Sequence, residues 1–219
     1  MKDEQINVPA GEPEALKTTF IEETRVANAI NDATKIRRGR LVFAKTTTPE
    51  EEEEPRREEF RLELGLKLRE YAKEYTVVVE DEPHIANIRD LGKYLSDNYQ
   101  DILNDHELVF GVAQKALNVY LKYLWCVDGT TIPPHCPFDN IVLKEIRPRK
   151  IRNQSYTFEE RWTHANENQY RDWVALARDK AGQKSLSVWE LEVWQAAQER
   201  AREKIAQRIA ARTQNPSTQ

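Results

Sequence analysis

Residues 106–125, HELVFGVAQKALNVYLKYLW, decide the fold. The stretch begins as a turn and continues as a helix, and from Gln114 to Cys126 the residues Leu117, Leu121, Leu124 and Trp125, with Tyr120 and Tyr123, leave little polar surface. A helix apolar on most of its circumference belongs inside a protein, so this one is expected at the centre with other helices packed around it. The same stretch sets Lys115 where the turn gives way to helix. A lysine there is either a solvated helix-start charge or a residue held for chemistry.

Working outward, Phe60, Leu64, Leu68 and Tyr71 recur at helical spacing between Glu58 and Tyr75. The β-branched run TVVVEDEP and its proline end that helix. A second helix is expected from His84 to Tyr99, with Ile85, Ile88, Leu91 and Leu95 on one side. VDGTTIPPHCPFD reads as a loop, since a glycine and three prolines cannot continue a helix. Further helices are expected near 157–181 and 186–212, the last capped by Ser185 or Ser187 ahead of Glu190. Trp162, Trp173, Trp189 and Trp194 fit a helix pair clasping the central one. The run TTTPEEEEEPRRE, charged and bracketed by prolines, predicts a poorly packed arm. Within that arm TTFIEETRVANAINDATKI has helical character and RLVFA is a short extended piece. The expected architecture is all-α, with an acidic flexible arm over 1–55, a compact helical domain over 56–212 and a disordered tail over 213–219.

Composition bounds the function. Of 219 residues, 39% are apolar and 32% charged, as in a helix-rich globular chain. No run of about 18 apolar residues occurs, and the N-terminus lacks the basic-then-apolar plan of a signal peptide, so a cytoplasmic protein without a membrane span is expected. Cys126 and Cys136 are too few for a disulfide framework or a four-cysteine cluster. Cys126, His135 and Cys136 lack a neighbouring fourth ligand for zinc, so neither a metal nor another cofactor is expected. Charge is uneven: residues 146–219 carry 14 Lys and Arg against 9 Asp and Glu, a net +5 on a chain whose total is -4. Such a segment is either a footprint for phosphates or a solvated helix face, since its arginines alternate with Glu199 and Glu203.

In FGVAQKALN a glycine and an apolar residue precede a lysine that opens a helix, the order found in a helix–hairpin–helix, whose exposed amides suit phosphate. Gly111, Val112, Gln114, Lys115, Asn118, Val119 and Leu121, followed by Pro137-Phe138-Asp139, resemble the helix–hairpin–helix base-excision DNA glycosylase superfamily of endonuclease III type, with Ala113 in place of the second hairpin glycine. The resemblance implies DNA repair chemistry with Lys115 as nucleophile and Asp139 as its carboxylate partner. An amine at a helix N-terminus, where the dipole disfavours its protonated form, would attack the sugar C1′. The carboxylate would take the proton and stabilise the oxocarbenium-like charge as the base departs, and the Schiff base would allow lyase cleavage. Gly111, Val112, Gln114 and Asn118, with Arg147, Arg149, Lys150 and Arg152 of the basic linker, are the expected DNA contacts. Tyr120, Tyr123 and Trp125 are candidates to stack on a flipped base.

Each residue also has an ordinary role open to it. Lys115 can be a plain helix-start lysine, Asp139 a turn or cap residue after proline, and Asn118 a core-bonded amide. The aromatics of the central helix can simply be core. The second expectation is therefore a non-catalytic helical interaction or regulatory protein, whose protein partner docks on the N-terminal arm or the C-terminal helix.

Overall fold

Helical periodicity is realised in seven α-helices, with no strand among the described residues, which in this computed structural model are 12–35, 42–44, 50–127, 129–148 and 158–214. They are α1 (Glu12–Thr34), α2 (Glu50–Ala72), α3 (Asp81–Tyr99), α4 (Phe110–Trp125), α5 (Asn140–Ile146), α6 (Glu167–Ala181) and α7 (Leu186–Gln214). None of them is long and apolar enough to cross a membrane.

Every residue of α4 from Gly111 to Leu121 is buried, and α1, α2, α3, α6 and a short 3-10 turn at Trp162–His164 pack against it. The apolar stripes point inward as their spacing requires: Phe60, Leu64 and Leu68 from α2, and Ile85, Ile88, Leu91 and Leu95 from α3. Each such side chain contributes roughly 1.5–3 kcal/mol by leaving water. Phe60 lies edge-on between Phe43 and Tyr99, and the isolated bridge from Phe43 to Leu103 ties residues 42–44 to the chain that follows α3. Asp105 and His106 both hold positive φ, 51° and 61°, in the turn leading to α4. Trp162, Trp173 and Trp189 are core, whereas Trp194 is 41% exposed.

Several boundaries differ from expectation for physical reasons. Residues 12–34, assigned to a flexible arm, form α1, whose Val26, Ala29, Ile30 and Ala33 lie in the core. That stripe is short and flanked by acidic residues, so composition hides it. Pro83 does not hold off α3 but sits in its first turn, where a missing N–H is harmless. The loop VDGTTIPPHCPFD leads into a further helix, α5, started by the side chain of the loop's last residue, Asp139. Helix α6 begins at Glu167 rather than near 157, because Asn166 and Gln169 form a reciprocal capping box. It ends at Gly182, whose φ of 63° suits a residue without a Cβ. Ser185 starts α7 by accepting from the Val188 amide, while Ser187 donates to the Pro133 carbonyl. Thr213 and Gln214, placed in the expected tail, close α7, and the remainder of that tail lies outside the described residues.

Candidate active site: a buried lysine–carboxylate seam

The segment Gly111-Val112-Ala113 is not a hairpin turn. Helix α4 already starts at Phe110, so all three residues lie in its first turns. Gly111 is required for a different reason. A Cβ there would stand 1.7 Å from the Trp162 carbonyl oxygen, and its N–H donates to the Ala165 carbonyl at 2.9 Å. The turn at Trp162–Ala165 therefore lies directly on the start of α4 and covers Gly111 and Val112, which are buried rather than presented to a phosphate.

One turn on, α4 grips the Pro-rich loop. Gln114 Nε2 donates to the Phe138 carbonyl at 2.9 Å, and its Oε1 accepts from the Phe138 N–H at 3.2 Å. Asn118 Nδ2 donates to the Gln114 Oε1, to the Cys136 carbonyl and to the Tyr170 hydroxyl. Both amides are fully buried, so the expectation that Gln114 and Asn118 touch nucleic acid is replaced by a structural role: they satisfy loop backbone that has left water.

The grip carries Asp139 to Lys115. Asp139 Oδ1 accepts from the Ile141 and Val142 amides as the cap of α5, and Oδ2 accepts from Lys115 Nζ at 2.9 Å. Burial alone would raise the Asp139 carboxyl, but the Lys115 charge and hydrogen bond and the two amides together hold it below its ordinary value. Lys115 is only 7% exposed, and its Nζ lies 5.9 Å from the centre of the Trp162 ring. Two turns along the same face, Lys122 pairs at 2.8 Å with Glu190 of α7 and lies 5.5 Å from the Trp194 ring. Burial lifts the Glu190 carboxyl above its ordinary value even against Lys122. Two lysines, two carboxylates and two tryptophans thus form a seam between α4, α5 and α7.

The other predicted site residues do not converge on Lys115. Tyr120 is buried, and the charges that act on its ring, Glu22, Glu23 and Arg25 of α1 and Arg69 of α2, place it on a different side of α4. Tyr123 has Asp32 of α1 as its charged neighbour, and Trp125 is partly buried at the end of α4. These aromatics are therefore not a stacking platform for a base at Lys115. The aromatic beside Lys115 is Trp162. Arg147 is exposed and paired with Glu160, and Arg149, Lys150 and Arg152 lie outside the described residues. A groove of about 550 Å³ between α3, the 3-10 turn and α6 is lined by Ile88, Gly92, Leu108, Phe110, His164 and Glu167 among others, and none of the predicted site residues lines it.

A buried polar chain adjoins the seam. The Tyr75 hydroxyl meets His84 Nδ1 at 2.6 Å, the His84 and His135 rings stand edge to face at 4.8 Å, and His135 Nδ1 meets the Tyr170 hydroxyl at 2.8 Å. His135 Nε2 lies 3.2 Å from Asp81 Oδ1, and Arg178 closes the chain with two 2.6 Å bonds to Asp81. Neutral imidazoles suit these partners, with Tyr75 and Tyr170 donating to Nδ1 and His135 donating to Asp81, a tautomer assignment made from the network. Single histidines carry little local sequence signal for such a chain, and from the sequence His135 was read only beside Cys126 and Cys136, without a neighbouring fourth zinc ligand. Among the described residues no group of three or more His, Cys, Asp or Glu is arranged to hold a metal ion.

Chemically, the seam offers a primary amine and a carboxylate in hydrogen-bonding contact, but inside a packed wall. Comparison of the chain with protein-family models, with curated proteins and with solved structures gives no match.

Proposed function

We propose that this chain is a non-catalytic helical interaction module, which offers two projecting helical arms to a protein partner. One observation carries the reading. Residues 14–24 of α1 and 199–211 of α7 are exposed throughout, tied to the body by the Glu23–Arg69 and Arg200–Glu145 ion pairs, and Leu16, Phe20 and Ile205 on them are 65%, 71% and 56% exposed. Both arms continue helices nucleated against the body, so they extend as helix while leaving these apolar side chains largely uncovered for a partner. The buried polar seam fits the same reading, since Gln114, Asn118 and Asp139 satisfy loop backbone and a helix start. Leu16→Glu with Phe20→Glu tests it: at a concentration where the parent has one chain mass, the double variant keeps the melting temperature of the parent if the arm serves a partner. A fall of several degrees would make these residues part of the fold and remove the reading.

A second reading has the Lys115–Asp139 contact in its favour: a DNA glycosylase with lyase activity, in which Asp139 takes the proton of the attacking amine. It requires the turn at Trp162–Ala165 to move, because Lys115 is covered. Borohydride reduction in the presence of abasic-site DNA decides it, since an amine nucleophile leaves a covalent adduct that Lys115→Gln loses.

A further inference from the structure

Along the exposed part of α7 the charges alternate in sequence but separate on the helix. Arg200, Lys204 and Arg208 follow one another at four-residue steps, as do Glu199 and Glu203, so neither glutamate has a basic residue four positions away. Like charges one turn apart disfavour an isolated helix, whereas an anionic surface alongside turns the same stripe into an attraction. The three-residue spacings, Glu199 to Arg202 and Arg200 to Glu203, are not closed by an ion pair among the described residues. Arg200 reaches instead to Glu145 of α5 at 3.4 Å, which fixes the side of α7 that faces the body.

At about 100° per residue, Ile205 and Ile209 lie about 140° and 180° around the helix from Arg200, on the side turned away from α5. Their side chains are 56% and 60% exposed, and Ala201 and the half-exposed Trp194 continue the line towards the body. Arg208 and Lys204 border this apolar line on one side and Arg202 on the other, while Glu203 stands about 160° from Ile205. The face is therefore apolar along its middle, basic along both edges and acidic only at its back.

Going beyond the protein-partner reading, we propose that this face of α7 lies on a membrane surface that contains anionic phospholipid. The helix rests in the plane of the surface, with Ile205 and Ile209 entering the boundary between headgroups and acyl chains. Arg202, Lys204 and Arg208 reach outward from the apolar line to headgroup phosphates, their aliphatic stems covering its edges. Trp194 has the amphipathic ring that suits the same boundary. Charge complementarity calls for an anionic partner, and the two isoleucines choose among anionic partners, because the phosphate backbone of a nucleic acid gives them nothing to enter. The α1 arm and the acidic back of α7 are left for a protein.

Cosedimentation of the full chain at low salt with vesicles of equal parts phosphatidylserine and phosphatidylcholine tests the proposal, against vesicles of phosphatidylcholine alone. The parent is expected to pellet with the anionic vesicles and to stay in solution with the neutral ones. A basic residue close to an anionic leaflet strengthens partitioning roughly fivefold, so Lys204→Gln with Arg208→Gln is expected to weaken binding roughly 25-fold. Ile205→Gln with Ile209→Gln keeps every charge and is expected to weaken it at least roughly tenfold. Circular dichroism and the melting temperature of both variants are expected to match the parent, since all four side chains are exposed. A parent that ignores anionic vesicles, one that binds neutral vesicles equally, or an isoleucine variant that binds as the parent does each overturn the proposal. A parent that ignores vesicles yet binds duplex DNA, with the isoleucine variant binding it equally, makes the stripe a nucleic-acid surface instead. The protein-partner reading is decided separately, by Leu16→Glu with Phe20→Glu on α1.

Discussion

Gln114 and Phe138 exchange two hydrogen bonds, side-chain amide to backbone N–H and carbonyl, so that a helical residue serves as the strand partner of a loop residue 24 positions away. The loop is locked without a sheet. Gln114→Leu is nearly isosteric and leaves the Phe138 N–H and carbonyl buried without that partner. Each orphaned buried group costs about 1–3 kcal/mol, so the variant is expected to lose at least that much in urea unfolding. A loss below about 0.5 kcal/mol would mean that water replaces the amide and the loop is not held as described.

Asp139 and Lys115 should respond asymmetrically to removal. Asp139→Ala deletes the cap of α5, worth about 0.5–2 kcal/mol, and strands a buried ammonium, for which breaking a buried pair costs about 3–5 kcal/mol. Lys115→Met removes the charge that needs a partner and leaves Asp139 with its two backbone amides. The lysine variant is therefore expected to be the more stable of the two by denaturant titration, and Asp139→Asn, which keeps a capping oxygen, to fall between them.

Acid should loosen the protein before its carboxylates titrate. Burial holds the neutral forms of His84 and His135, so their folded values lie below the ordinary 6.5. A lowered histidine value means that the unfolded chain binds protons that the folded one refuses. The stability these two rings supply is thus complete above pH 6.5 and is lost as pH falls below it, with a slope of up to about 1.4 kcal/mol per pH unit for each ring. Asp81, held well below its ordinary value by His135 and Arg178, adds a second loss only at much lower pH. Unfolding free energies at pH 7.5 and pH 5.5 check this, and equal values at the two would contradict the buried neutral pair.

Within α1 the two halves should differ. Ile30 is buried, its Cδ1 lying over Gly65 of α2, and Ile30→Ala is expected to cost about 2–5 kcal/mol, whereas Leu16→Ala on the exposed half should stay within about 0.5 kcal/mol. Thermal denaturation of both variants under conditions where the parent has one chain mass separates the packed half from the arm.

Much of the fold was legible because helical periodicity is a local property. The stripes of α2 and α3 follow directly from Phe60, Leu64 and Leu68 and from Ile85, Ile88, Leu91 and Leu95. Helix α5 was hidden by its seven-residue length and by the prolines before it, although Asp139 ahead of Asn140-Ile141-Val142 is an ordinary cap signal. Gly111 looked like a turn residue because local sequence cannot show that the Trp162 carbonyl, 51 positions away, occupies the space of its absent side chain. The meeting of Lys115 and Asp139 was expected from their pairing in a motif, while the burial that surrounds them depends on the Trp162 turn and α7, which no spacing near Lys115 encodes.

The two thiols turn the seam into a clock. Cys126 is exposed, whereas Cys136 is wholly buried beside Asn118, and burial pushes its thiol well above the ordinary value. A thiol reagent will therefore see one sulfur at once and the other only when the Pro-rich loop swings off α4. Where reclosure outruns modification, the ratio of the two rates reports the free energy of that opening under native conditions. The chain thus carries an internal reference and a concealed reporter within eleven positions, and the motion any chemistry at Lys115 would need can be timed without adding a label to the protein.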